Sequence, residues 1–164
     1  MTRVGIIGIG FMGWIHWLAY HRLKDVSVTA ISETIPKRLA GDWRDIKGNF
    51  GPPGEQVDLT GIGAYANLDD LLRDPNVDLV DITLPTAFHA DIAIRALEAG
   101  KHVLCEKPMA LQLADCERMN AAAKKANRLL MVGHVLPFFP EYNWALQVIR
   151  NGEYGKLLGG EFRR

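Results

Sequence analysis

The stretch that most constrains this chain is Gly8-Ile9-Gly10-Phe11-Met12-Gly13, directly after the apolar run Val4-Gly5-Ile6-Ile7. It is a G-x-G-x-x-G pattern between a predicted strand and a predicted helix. Each glycine answers a different demand. Gly8 lets the chain turn tightly, Gly10 lets a pyrophosphate lie against bare backbone, and Gly13 lets the helix sit close on the strand. The free N–H groups at the helix start, Phe11 and Met12 among them, then face the phosphates, and the helix dipole favours that negative charge.

Spacing alone is a weak signal, and context strengthens it. Glu33 stands 20 residues after Gly13, at the end of a second apolar run, Val26 to Ser32. A carboxylate there accepts hydrogen bonds from both ribose hydroxyls of an adenosine. The plainer alternative is an ordinary strand–helix turn with a solvated charge at Glu33. Lys37 and Arg38 follow and would suit the extra phosphate of NADP, but Glu33 would repel it, so NAD is favoured and NADP is left open.

A chain of 164 residues suits one domain with a proper core. Nineteen basic residues balance nineteen acidic ones with no long basic run. That argues against nucleic acid or an anionic membrane as a partner. No apolar stretch approaches the length of a membrane span, and the N-terminus enters a strand with no signal-peptide anatomy. Cys105 and Cys116 lack zinc-finger or C-x-x-C spacing and are read as reduced thiols of a cytoplasmic protein.

The remaining pattern alternates strands with helices. A first helix is predicted over 12–22, with Met12, Ile15, Ala19 and Leu23 facing the sheet. Trp14, Trp17 and His21 form a second stripe, covered either by neighbouring loops or, as we favour, by another domain or subunit. His16 is read as a packing or capping residue. Pro36 suits a helix start. The Pro- and Gly-rich segment from Gly41 to Gly63 is expected to be a mobile surface loop, an insertion without function. Strands are expected near Ala64-Tyr65, over 77–84, 101–105 and 129–132. Helices are expected near Leu71-Leu72, over 90–99 with Gly100 as its cap, over 113–126 closed by Asn127, and over 141–150 with Gly152 just past its end. The implied fold is α/β, a doubly wound, mostly parallel sheet of the Rossmann type in the order 3-2-1-4-5-6, with ligands beyond the carboxyl ends of the strands.

Those ends carry the candidate chemistry. Cys105-Glu106-Lys107-Pro108 closes the fifth strand, and a Lys beside a nicotinamide can bind a substrate hydroxyl and relay a proton. The alternative is a surface Lys paired loosely with Glu106. His89 either faces the cofactor or makes a local bond at its helix start. His134, after the sixth strand, is a candidate for the substrate side. No carboxylate or Cys joins the histidines at ligand spacing, so no metal site is expected.

These stretches resemble the N-terminal domain of the Gfo/Idh/MocA oxidoreductases. The matching segments are 8–13, Glu33, ITLPTAFH at 82–89, ALEAGKHVLCEKPMA at 96–110 and VGH at 132–134. The resemblance implies NAD(P) in the crevice and hydride transfer to or from a carbon bearing a hydroxyl in a sugar, polyol or related compound. It gives Lys107 the contact with the substrate hydroxyl, Glu33 the adenosine ribose, and Thr83, Pro85 and His89 the nicotinamide ribose. Glu106 joins them as part of the E-K-P motif. Members of the family are about twice this length and carry a second domain that supplies the acid/base pair. This chain shows no such motif. Residues 1–150 are therefore expected to form the cofactor domain. Residues 151–164 would be a hinge and a first strand, Leu158 to Arg164, of that second domain, and this strand is disordered, folded back or paired with another copy.

Two readings follow. In one the chain is the cofactor half of a dehydrogenase acting on a sugar or polyol. In the other it holds NAD(H) without turning anything over, because Lys107 alone lacks a general base and a closed pocket. A third, a family member that cleaves glycosides through a transient 3-keto sugar, stays open.

Overall fold

A computed structural model describes residues 1–161 of the chain. The strands are β1 (Thr2–Ile7), β2 (Val26–Ser32), β3 (Gly63–Tyr65), β4 (Leu79–Ile82), β5 (His102–Cys105) and β6 (Leu130–Val132). The helices are α1 (Phe11–Tyr20), α2 (Pro36–Leu39), α3 (Leu68–Arg73), α4 (His89–Glu98), α5 (Leu113–Ala126) and α6 (Pro140–Asn151). All six strands are parallel, in the order β3-β2-β1-β4-β5-β6. The order reverses between β1 and β4, so the helices divide between the two faces and a crevice opens at the carboxyl ends of those strands.

Alternation along β1 feeds two cores. Val4 and Ile6 pack with Trp14, Trp17, Ile31 and Trp43 on one face. Ile7 packs with Val80, Ile82, Ala93, Leu97 and Met119 on the other. Buried on both faces, the central strands carry continuous apolar runs, as parallel strands do. The helix ends follow local chemistry. Asn67 caps α3 by accepting from the Asp69 N–H at 2.9 Å. Asn127 closes α5 in the left-handed conformation, φ 51°.

Two expectations are corrected. The first concerns α1, which ends at Tyr20, so Leu23 lies beyond it and is exposed, as is Ala19. The buried side chains are instead Trp14 and Trp17. They are not an interface with another subunit. The segment after α2 folds over them, with Trp43 edge-on to both rings at 5.8 and 4.9 Å.

The second correction is to that segment. Trp43 and Ile46 are core residues. Trp14 Nε1 donates to the Pro52 carbonyl at 3.0 Å, and Trp43 Nε1 to the Arg38 carbonyl at 2.7 Å. Backbone bonds Trp43–Glu55, Gly54–Ile46 and Val57–Gly41 close the loop on itself. Proline and glycine do break regular structure here, but the segment is a fixed cover on α1.

Residues 158–161 are exposed and form no strand, and the rest of the predicted strand Leu158 to Arg164 falls outside the described residues. The chain divides into a compact unit Met1–Gly133 and a second unit beginning at His134. In the second unit α6 ends at Gly152, φ 65°, and it exposes Trp144, Leu146 and Ile149. No helix among the described residues is long and apolar enough to cross a membrane.

Candidate functional site

The crevice is built from strand ends. Gly8 turns the chain out of β1 at φ +91°, a conformation that side chains other than glycine rarely adopt, and a Cβ there would meet Leu84 Cδ2 at 2.5 Å. Gly13 lies so close to the Gly8 carbonyl that a Cβ would collide with it. Gly10 differs from both. It sits at φ −98°, ψ −159°, ordinary extended backbone, and a Cβ on it would meet nothing within 4 Å. The fold does not require glycine there, whereas a ligand lying flat on the backbone does. No side chain caps α1 at Gly10, so the first-turn N–H groups of Phe11, Met12 and Gly13 are available to an anion.

Neighbouring strands brace this loop. Thr83 Oγ1, just past β4, donates to the Gly8 carbonyl at 2.6 Å. Glu33 is buried at the end of β2, where its carboxylate accepts from the N–H groups of Ile9 (2.8 Å), Thr34 (2.7 Å) and Ile35 (2.9 Å). Arg38 Nη1 reaches back to the Ile9 carbonyl at 3.0 Å, and its other nitrogens pair with Asp45. Lys37 pairs with the same Asp45 at 3.3 Å. Both cations are thus held by the covering loop. A cavity of about 290 Å³ opens beside Gly8 and Glu33, walled by Leu68, Leu84, Phe88 and Ile92. Apolar walls with one carboxylate at the rim suit a flat heterocycle carrying a ribose. The glycine geometry, the open backbone over Gly10 and this slot together fit a dinucleotide.

The strand ends farther along the sheet are arranged differently. Lys107 is exposed, with its ammonium in no ion pair among the described residues. It does not pair with Glu106. That carboxylate is buried, accepts from the Lys107 backbone N–H at 3.0 Å, and lies 3.2 Å from His16 Nε2. His89 takes the local reading. It is buried, with Nδ1 2.9 Å from the Pro108 carbonyl and Nε2 2.8 Å from the Leu84 carbonyl. It therefore ties the segment after β4 to the E-K-P turn and does not face the crevice. Pro85 is exposed at the same strand end. His134 is exposed and opens the second unit.

A further polar group escaped the sequence reading. Asp81, in the middle of β4, is fully buried and points at α1, where His16 Nδ1 lies 2.7 Å from its Oδ2 and Tyr20 donates to the same oxygen at 2.9 Å. Burial opposes the charged His16 ring, but the hydrogen bond and charge of Asp81, with those of Glu106, outweigh it and raise its pKa. Burial, with Asp81 beside it, pushes the Tyr20 phenol up as well. The Cys105 thiol is pushed up to about 12 by burial and by the same two carboxylates. The signal available was an aspartate inside the otherwise apolar run of β4, a position that demands a partner.

Residues 2–134 match the family described as an oxidoreductase family with an NAD-binding Rossmann fold, Gfo/Idh/MocA. The chain belongs to this family. It is 37% identical over 155 residues to 1-carboxy-3-chloro-3,4-dihydroxycyclo hexa-1,5-diene dehydrogenase of Comamonas testosteroni, covering 94% of this chain and 36% of that protein. It is 35% identical to inositol 2-dehydrogenase/D-chiro-inositol 3-dehydrogenase of Lactiplantibacillus plantarum, covering 96% and 42%. The crystal structure of myo-inositol 2-dehydrogenase from Lactobacillus plantarum superposes with a TM-score of 0.79 at 26% identity, covering 95% of this chain and 43% of that one. The chain thus spans about two fifths of the length of these relatives, and the part it spans is the NAD-binding Rossmann domain.

Proposed function

We propose that this chain is the cofactor-binding part of an NAD-dependent dehydrogenase that moves hydride to or from a hydroxyl-bearing carbon of a polyol, cyclitol or related sugar. Gly10 carries the reading, being a glycine at a backbone position that needs none, with open space where a pyrophosphate would lie. The substrate class rests on the relatives named for inositol and dihydroxycyclohexadiene oxidation.

In this reading Gly8, Gly10 and Gly13, with the N–H groups of Phe11 and Met12, receive the pyrophosphate. Glu33 Oε2 accepts only from the Ile9 N–H and offers its second lone pair to the adenosine ribose. Thr83, Pro85 and Glu106 line the nicotinamide side, and His89 shapes that side from within. Bound there, the nicotinamide supplies the hydride acceptor or donor. Lys107 Nζ holds a proton at the substrate oxygen, polarising it as the C–H bond changes. His134, just past the end of β6, is assigned to the substrate side by that position. With Lys37 and Arg38 held by Asp45, neither is free for a 2′-phosphate, which favours NAD over NADP.

A second reading is that the chain holds NAD(H) without turnover. Lys107 favours it, since no imidazole or carboxylate is bonded to its ammonium among the described residues. Exposed Phe138, Trp144, Tyr154 and Leu158 in the second unit support a contact with further protein, whether another domain or a second copy. Two free cysteines, Cys105 and Cys116, suit a reducing compartment such as the cytoplasm.

Titration with NADH and NADPH tests the reading. NADH should bind more tightly than NADPH. Gly10→Val should abolish binding with the fold intact, and Glu33→Ala should weaken it roughly tenfold. Lys107→Ala should keep NADH affinity but stop inositol oxidation by the protein carrying this domain. Unchanged NADH affinity in Gly10→Val would refute the site.

A further inference from the structure

Three features of the unit Met1–Gly133 stand together and are not accounted for by dinucleotide binding. Asp81 is a fully buried carboxylate on the central strand β4, and its Oδ1 has no hydrogen-bond partner. A buried carboxylate with one oxygen unpaired costs stability unless a cation compensates it. The side chain that meets it is His16, with Nδ1 2.7 Å from Asp81 Oδ2. The same ring has Nε2 3.2 Å from Glu106 Oε1, and Glu106 in turn accepts from the Lys107 N–H at 3.0 Å through Oε2. A continuous chain of contacts therefore runs Asp81–His16–Glu106–Lys107, from the sheet interior to the E-K-P turn.

We propose that His16 is a positioning residue of this site: clamped as an imidazolium between Asp81 and Glu106, it holds the Glu106 carboxylate inward against the Lys107 backbone and so fixes where Lys107 is presented. The proposal rests on the reading of Lys107 as the residue that meets substrate. Its physical basis is the ring's donor count. Two carboxylates face the two ring nitrogens, and both contacts are attractive only when both nitrogens carry protons. A neutral ring donates to one carboxylate and turns a lone pair to the other. Glu106 is then released, free to swing toward the exposed Lys107 ammonium.

The groups facing this ring come from every element around it. Tyr20 and His16 lie on α1, Asp81 on β4, Cys105 at the end of β5 with Glu106 just after it, and the Gly133 backbone follows β6 and lies beside Glu106. Tyr20 and Cys105 are both pushed upward, so they stay protonated while His16 titrates. Glu106 also keeps its own negative charge away from the substrate oxygen while it is held inward.

Amide hydrogen exchange at Lys107, measured by NMR on the whole chain without nucleotide, tests this directly. Asn places its donor near the Nδ1 position and Gln near the Nε2 position of a histidine. His16→Asn should therefore keep a bond to Asp81 but release Glu106, speeding Lys107 exchange roughly tenfold. His16→Gln should keep the Glu106 bond and leave Lys107 within about twofold of the parent. Exchange at Val80 in the sheet should stay slow in both, showing that the fold holds. Equal speeding in the two variants, or none in either, overturns the proposal. If His16→Asn does not fold, the His16 ring followed by nitrogen-15 NMR decides the matter. In Glu106→Gln it should lose its proton at lower pH than in the parent, and an unchanged titration overturns the proposal. Neither readout needs a cofactor, so the two failures are distinguishable: a failed NADH titration would remove the site that Lys107 serves and leave only the contact between His16 and Glu106, whereas a failed exchange test overturns the proposal with the dinucleotide reading intact.

Discussion

Three glycines of one motif have three different reasons to be glycine, and substitutions separate them. Gly13 packs against the Gly8 carbonyl, and a methyl group would force the helix off the strand. Gly13→Ala should cost about 1–3 kcal/mol of stability, measured by urea unfolding, and weaken NADH binding as a consequence. A Cβ on Gly10 would meet nothing, so Gly10→Ala should leave stability within about 0.5 kcal/mol while still weakening NADH binding. Equal destabilisation by the two would refute the assignment. His16 makes a second prediction at this scale. Its pKa is raised in the folded chain above its usual 6.5, so its contribution to stability is complete below that pH and is lost as pH rises through the folded value. The melting temperature should therefore fall as pH is raised from about 6.5 toward 8.5, a window below the region where the Cys105 thiol matters, and the fall should shrink in His16→Asn.

Among the elements, α1 and the loop after α2 show how far local pattern carries. The helix was legible from its glycine start and apolar spacing. Its buried face was not, because the surface that covers Trp14 and Trp17 arrives from about 30 residues away, on Trp43. Helical periodicity reports that some stripe is buried but does not name the partner of a second stripe. The loop's proline and glycine content correctly excluded helix and strand, but composition says nothing about whether irregular backbone is anchored. Trp43→Ala should destabilise the chain by roughly 3–5 kcal/mol, read from chemical unfolding, because it empties a fully buried indole site. A loss below about 1 kcal/mol would restore the picture of a dispensable insertion.

At the scale of the whole molecule, the unit Met1–Gly133 contains the sheet, the crevice and both cores. A chain ending at Gly133 should fold cooperatively and bind NADH within about threefold of the affinity of the longer chain. The second unit exposes Trp144, Tyr154 and Leu158, so its removal should also raise solubility. Loss of cooperative unfolding in the shorter chain would show that the second unit completes the core.

The sequence by itself determined the strand and helix order, the doubly wound topology, the glycine turn and the acid at Glu33. Each is specified by residues within a few positions of one another, through periodicity, backbone freedom and capping. Only the tertiary structure decided what faces what. It turned Glu33 onto the Ile9 N–H, buried His89 between two carbonyls, gave Lys37 and Arg38 to Asp45, and joined His16 to Asp81 and Glu106. Those contacts bridge separations of 65 and 90 residues for His16. A parallel sheet brings distant strand ends together at one edge, and a linear reading carries no record of which side chains meet there.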